Sequence, residues 1–455
     1  MSTISHKIAE FVVGVQYDQL PPEVVRQVKR FLLDSVGCAF GGLKTEDTQI
    51  MSQYYGEMGG REESAVWGSG KKLPMVNAAL LNSLLIRALD YNDIYWEEDP
   101  SHPSDLIPAA VSPAESLGKS GKEVIVAIAL AYEFEQRLCE FARPGIRERK
   151  WHHATLTGLA SPMVAGKIMG LSAEQIVHAI GISGSHCCTL GAVTAGKLTQ
   201  MKNTVDPMAV ASGVQAAQLA ALGYTGPEHV IDGKEGLTDA LGPEFDLNVL
   251  TDGLGESWRI MRCSMKAYAA EALTHSPITA VLKIVKENDL KPEQIQKIKV
   301  KTVARAADIL SDPSKYQPTS KETADHSLPF CLAAAVVDGM VTPAQFKPEK
   351  LKAPQIWSLL PKIEVVAEPE FEKLFPRLKA TEVQLTDSAG KEYVCRVDYP
   401  RGDYRDPMSD EELMQKFDSM VLPVLGEEKR NRLVEAINNL EEFGNIAEWV
   451  KYLVP

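Results

Sequence analysis

PMAVASGVQAAQLAALG, residues 207–223, decides how the rest of the chain is read. Small and apolar side chains run through it, as in a helix buried on several sides rather than on one stripe. The same character recurs on either side. LTGLASPMVAGKIM (156–169) is small and apolar, as in tightly packed helices. LSAEQIVHAIGI (171–182) opens with Ser172 and Gln175 in capping-box spacing. Residues 122–139 and 75–89 are rich in Ala, Leu and Ile. At 20–36, prolines open a helix in which Val24, Val25, Val28, Phe31, Leu32 and Val36 fall at helical spacing, and Gly41-Gly42 ends the run. The first 260 residues therefore read as a large all-α domain.

The pattern changes near Cys263. IQKIKVKTV (295–303), KIEVVA (362–367), ATEVQLT (380–386) and EYVCRV (392–397) alternate as half-buried strands do, and Asp387-Ser-Ala-Gly390 is a hairpin turn signal. Helices at 277–288 and 328–338 are interspersed. After YPRGDYRDP the chain turns helical again, with Ser409 and Glu412 in capping-box spacing ahead of Leu413 to Val424. The expected architecture is mostly α with an α+β part. One helical domain is built from residues 1–262 and 400–455, and a smaller α+β domain from 263–399.

Composition sets the class. With 45% hydrophobic and 24% charged residues in 455, the chain is ordinary globular protein. A formal net charge of −13 argues against nucleic acid and anionic membrane as partners. Seven scattered cysteines with no CxxC spacing fit reduced thiols in a cytosol-like compartment and give no zinc-ribbon or iron–sulfur ligand run. The N-terminal residues MSTISHKIAEFVVGV lack a signal-peptide pattern, and no apolar run reaches the ~18 residues of a membrane span. A soluble cytoplasmic protein is expected.

Chemistry concentrates in RALDYNDIYWEEDPSHPSDLIP, residues 87–108. Acids, the adjacent Tyr95 and Trp96 rings and His102 crowd onto a loop that Pro100, Pro103 and Pro108 keep from regular structure, directly after an apolar helix. That is how a pocket wall tends to be built; the rival reading is a solvated acidic loop. Asp90, Asp93, Asp99, His102 and Asp105 could in principle chelate Mg²⁺ or Zn²⁺, but no metal motif, P-loop or GxSxG elbow occurs. No metal or other cofactor is expected. His153 precedes the 156–169 helix, where the helix dipole favours a neutral imidazole; His152 is its competitor, and spacing does not separate them. Lys202, with Lys197 as rival, sits before an apolar helix, where a cation asks for an anionic partner. Lys266, Tyr268 and Glu271 lie in SMKAYAAEALTHSP at the proposed domain junction, against the rival reading of a plain linker-helix face. Asp325 and His326 read as a cap of the 328–338 helix.

In this order, FLLDSVGCAFGG (31–42), ALDYNDIYWEEDPSHPSD (88–105), WHHAT (151–155), the Lys202 segment through AALGYTGP (220–227), MKAYAAEALTHSP (265–277), KYQPTSKETADHSLPFCLAAAVVDGMVTPAQF (315–346) and PMSDEELMQKF (407–417) resemble the MmgE/PrpD family. The resemblance spans essentially the whole chain. It implies a helical domain from both ends of the chain, an α+β lid, a homodimer, and no metal or flavin. It also implies a pocket of Asp90, His102, His153, Lys202 and Lys266, with Asn92 and Asp93 in the same motif. Family decarboxylases place a threonine four positions after the first aspartate, where this chain has Ile94, and a histidine in the lid-entry segment. There the sequence is closer to the dehydratase pattern, with Glu271. The implied activity is cofactor-independent dehydration of a 2-methylcitrate-like polycarboxylate. The alternatives are epimerisation of an iminodisuccinate-like dicarboxylate, decarboxylation of cis-aconitate, or a catalytically silent binding scaffold.

Overall fold

The structure, a computed structural model, describes residues 3–195, 198–242 and 244–454. Lys197 lies outside the described residues. The described residues divide into two compact units: those up to 195, 200–263 and 410 onward form the first, and 198–199 with 264–409 form the second. The fold is mostly helical with a small α+β part.

The first unit is built on helices Ile4–Gly14, Pro22–Gly42, Glu46–Met58, Met75–Arg87, Ile107–Leu117, Gly121–Glu140, Ala154–Met169, Ala173–Gly184, Met201–Ala221 and Asp410–Asn438, the last broken at Gly426. Ala154–Met169 packs on Met201–Ala221, and the composition of both explains how closely. A Cβ at Gly213 would lie 2.3 Å from the Ser161 side chain, so only glycine fits there. Ser161 instead hydrogen-bonds across the gap to the Val210 carbonyl at 2.8 Å. Gly42 does the same for Pro22–Gly42, where a Cβ would meet the Leu85 carbonyl of Met75–Arg87. The expected Ser172–Gln175 capping box forms.

One helix differs from its sequence reading. It starts at Met201, not Pro207, because Asn203 N–H and the Thr204 hydroxyl both close onto the Gln200 carbonyl and build a turn ahead of the proline. Lys202 therefore sits in the helix's first turn.

The second unit carries a four-stranded sheet in the order Ile363–Ala367, Ile295–Thr302, Thr381–Asp387, Glu392–Val397. The first two strands run parallel, with Val300 opposite Val365. The others are antiparallel, with Val300 opposite Val383 and Val383 opposite Cys395. Asp387 Oδ1 accepts from the N–H groups of Ala389 and Lys391 and closes the expected hairpin. Helix His275–Glu287 covers the sheet, and Leu328–Asp338 packs on that helix. Residues 400–409, expected with the helical part, group with this second unit, and Cys263 groups with the first. The physical reason is backbone pairing: Met265 N–H donates to the Gly402 carbonyl at 2.9 Å, and a side chain at Gly402 would clash with Met265. Tyr404 N–H donates to Ser264 Oγ. Among the described residues no helix is long and apolar enough to cross a membrane.

Candidate active site

Helix Met75–Arg87 delivers the chain into the acidic loop, and Asp90 turns it. Asp90 has φ +52°, a left-handed conformation uncommon for a residue with a side chain. Such strain marks positions that the surroundings hold in place. The prolines do not abolish regular structure here: Asp93–Trp96 pairs antiparallel with Pro100–Ser101, Tyr95 opposite Ser101. Pro100 serves in that short ladder as a strand's first residue, where proline is tolerated.

The turn aims the Asp90 carboxylate between two cations. Arg87 Nη1 lies 2.9 Å from Oδ1, and Lys202 Nζ lies 3.1 Å from Oδ2. All three groups are buried. The anionic partner that Lys202 asks for is thus Asp90. The peptide after Asp90 is anchored from the far end of the chain: Lys416 Nζ donates to the Tyr91 carbonyl at 2.6 Å, pairs with buried Asp34 at 2.6 Å and lies over the Tyr91 ring.

Asn92 and Asp93 brace the loop. The Asn92 amide donates to Ser104 Oγ at 2.9 Å and Asp105 Oδ1 at 3.1 Å. Asp93 accepts from Ser104 N–H at 3.0 Å and Ser104 Oγ–H at 2.6 Å, and burial pushes its carboxyl up to about 6. Asp99 caps the turn at Ile146–Arg149, accepting from the N–H groups of Ile146 and Arg147, so its oxygens are engaged there.

His102 donates Nδ1–H to the Asp93 carbonyl at 2.6 Å, which leaves Nε2 as its unprotonated nitrogen when the ring is neutral. Its ring centroid is 5.7 Å from that of His153. Helix Ala154–Met169 begins directly after His153, whose Nε2 lies 3.3 Å from Asp206 Oδ2. The structure separates the two adjacent histidines. His152 accepts the Ala154 N–H on Nδ1, and burial, reinforced by the nearness of His153, holds it well below the usual histidine range, so it is neutral. His153 is the one beside both His102 and Asp206.

Sequence reasoning missed the layer behind these groups. Arg87 Nε lies 3.6 Å from Asp105 and 3.9 Å from Asp206. Thr157 Oγ1 lies 2.8 Å from Glu135 Oε1 and 3.3 Å from Asp206 Oδ1. Burial pushes Glu135 up to about 8 and raises Asp105 well above the carboxylate range. Burial opposes ionisation of Asp206 too, but the attraction and hydrogen bonding of His153, with Arg87 behind, outweigh it and hold the carboxyl well below the usual range. The available signal was weak: Glu135, Thr157 and Asp206 are polar residues among others inside largely buried helices.

One donor atom from each of His152, His153 and Asp206 lies within 4.8 Å of the others, a spacing that a metal ion could use. The protonation pattern does not suit one. With Nδ1 accepting from Ala154, neutral His152 carries its proton on Nε2, and the Arg87 cation approaches the same Asp206 oxygen.

The second unit holds the remaining candidates. Lys266 is buried. The Tyr268 hydroxyl is 3.2 Å from Thr279 Oγ1, and its ring packs edge-on to His275. Glu271 caps the turn Ala272–Thr274, accepting from Leu273 N–H at 2.7 Å, and its own N–H donates to the Asp325 carbonyl. Asp325 is flanked by Lys321 at 2.9 Å and His326 at 2.6 Å. The cap of helix Leu328–Asp338 is Ser327, not the Asp325–His326 pair, because the Ser327 hydroxyl reaches Phe330 N–H.

Comparison with known proteins adds independent findings. The model of the MmgE/PrpD N-terminal domain matches residues 6–250, and that of the MmgE/PrpD C-terminal domain matches residues 268–442. A cis-aconitate decarboxylase of Homo sapiens is 28% identical, covering 97% of this chain and 92% of its own. A cis-aconitate decarboxylase of Aspergillus terreus is 24% identical, covering 99% and 96%. A 2-methylcitrate dehydratase of Escherichia coli is 22% identical, covering 82% and 81%.

Proposed function

The chain belongs to the MmgE/PrpD family, and from that premise we propose a lyase that removes water from a 2-methylcitrate-like polycarboxylate by acid–base chemistry alone. The observation that carries this is the pair of imidazoles, His102 and His153, with ring centroids 5.7 Å apart and the Arg87–Asp90–Lys202 array close by. Dehydration next to a carboxylate needs a base for the carbon-bound proton and an acid for the departing hydroxyl. Two imidazoles supply both, each group typically worth ~10²–10⁴ in rate. A tricarboxylate carries about three negative charges near neutral pH. In a chain of net charge −13 it needs local cations, which Lys202 and Lys266 are proposed to provide. A cation near the carboxylate also stabilises the enolate-like charge as it develops. Asp90 orients Lys202; Asn92 and Asp93 shape the loop; Tyr268 and Glu271 are proposed substrate contacts. No metal or other cofactor takes part, and the protein acts as a homodimer.

Decarboxylation of cis-aconitate is the second reading, favoured by relatives of that name whose similarity runs nearly the full length of the chain. Ile94 and Glu271 favour water loss, since they depart from the decarboxylase pattern that the resemblance implies. The test is incubation with 2-methylcitrate, citrate, cis-aconitate and iminodisuccinate in D₂O, followed by NMR. Loss of water from 2-methylcitrate is expected. Carbon dioxide release from cis-aconitate, or epimerisation of iminodisuccinate, without any dehydration would overturn the proposal.

A further inference from the structure

We infer that Asp206, backed by Thr157 and Glu135, is a positioning residue that fixes the proton of neutral His153 on Nε2 and so assigns Nδ1 as its reacting nitrogen. This deepens the reading above, since it concerns the same histidine, but it rests on contacts within the first unit and its test reads no turnover. The case begins with groups that look unsatisfied. His152 Nε2, His153 Nε2, Arg87 Nε and Asp206 Oδ2 are all buried without a well-aligned hydrogen bond. They become intelligible together. Asp206 Oδ2 lies 3.3 Å from His153 Nε2 and 3.9 Å from Arg87 Nε, and the neighbouring His152 carries its own proton on Nε2 because Ala154 N–H occupies Nδ1. Two donors, His153 Nε2 and Arg87 Nε, therefore face one acceptor oxygen, and an ionised carboxylate is the group that accepts without donating.

The other oxygen of Asp206 is held from behind. Thr157 has one hydroxyl proton and stands between Oδ1 of Asp206, at 3.3 Å, and Oε1 of Glu135, at 2.8 Å. Two ionised carboxylates cannot both be satisfied by one hydroxyl hydrogen. A protonated Glu135 resolves this by donating to Thr157, which then donates to Asp206. Burial of Glu135 acts in the same direction. The chain of donors ends at Asp206, so the negative charge facing His153 stays in place. When Nδ1 of His153 takes a proton, the imidazolium that forms is balanced by Asp206. The proton leaves by the same nitrogen, and neither Asp206 nor Glu135 changes protonation. His102 shows the mirror arrangement, its Nδ1–H fixed by the Asp93 carbonyl.

The experiment is long-range ¹H–¹⁵N NMR of the full-length protein labelled with ¹⁵N-histidine, with His153→Gln used to assign the signal. At a pH where the ring is neutral, wild type is expected to show the Nε2–H tautomer favoured at least about tenfold, as a charge-assisted hydrogen bond would favour it. Asp206→Asn should collapse that preference. Glu135→Gln, which keeps a donor facing Thr157, should preserve it, a distinction that a merely structural role does not make. An Nδ1–H tautomer in wild type overturns the inference, as does an unchanged tautomer in folded Asp206→Asn. Stoichiometric Zn²⁺ binding that shifts the His152 and His153 nitrogens would overturn it too, because a metal would take the place of the protons. If Asp206→Asn does not fold, the wild-type and Glu135→Gln spectra decide.

Discussion

Replacing Lys416 with methionine should destabilise the first unit by about 4 kcal/mol. Lys416 Nζ pairs with Asp34 at 2.6 Å, and both side chains are almost wholly buried. Removing one partner of a buried pair leaves an uncompensated charge, at a typical cost of ~3–5 kcal/mol. The hydrogen bond to the Tyr91 carbonyl is also lost, worth about 1 kcal/mol net. Methionine keeps most of the apolar stem, so packing over the Tyr91 ring changes little. Removing the orphaned charge as well, in Asp34→Leu/Lys416→Met, should recover most of the loss, since apolar replacements of buried pairs are often neutral. Urea unfolding followed by tryptophan fluorescence reads this out, because Trp67, Trp96, Trp151, Trp258 and Trp449 belong to the first unit and Trp357 to the second. A single variant within about 1 kcal/mol of wild type would refute the reasoning. So would a double variant no more stable than the single one. The single variant should also lose activity, because the Asp90 backbone is held at a positive φ beside the Tyr91 anchor.

Four further outcomes are expected. Lys202→Ala should raise KM more than it lowers kcat in steady-state kinetics, because the charge it removes is felt by substrate and transition state alike. His102→Gln and His153→Gln should each lower kcat by about 10² or more in the same assay. Turnover should persist after exhaustive dialysis against EDTA; loss restored only by a divalent ion would recast His152, His153 and Asp206 as ligands. Glu135 is raised from 4.5 to about 8 in the folded protein, so the native state binds its proton more tightly than the unfolded chain. Stability should therefore fall as pH rises through that window, by about 2 kcal/mol between pH 6 and 7.5, and Glu135→Gln should flatten the slope of the urea midpoint.

Helices such as Gly121–Glu140 and Ala173–Gly184 are legible in the sequence because their spacing and caps are local properties. The sheet strands are legible for the same reason, through alternation and the Asp387–Gly390 turn. Asp90, His102 and Lys202 stand out because polar groups cluster beside helix ends. Asp206, Thr157 and Glu135 do not, since each is one of several polar residues inside a long buried helix, and what it does depends on a side chain from a different helix. The start of the 201–221 helix was hidden by Pro207, which reads as a first residue but sits in the second turn. The short Asp93–Trp96 pairing was hidden by prolines that suggest no ladder at all.

The anchor beneath Tyr91 has a consequence for how the protein is made. Lys416 and Tyr91 are 325 residues apart, and the second unit is encoded between them. At ~5–20 residues per second, a ribosome needs on the order of 15–65 s to pass from one to the other. Throughout that interval the nascent segments around Asp34 and Tyr91 lack Lys416. The first unit thus cannot reach its final arrangement as it emerges, and an aspartate destined for burial waits in the open for its partner. Chaperone dependence should accordingly track the delay before Lys416 appears, which a circular permutant that synthesises residues 410–454 first would shorten.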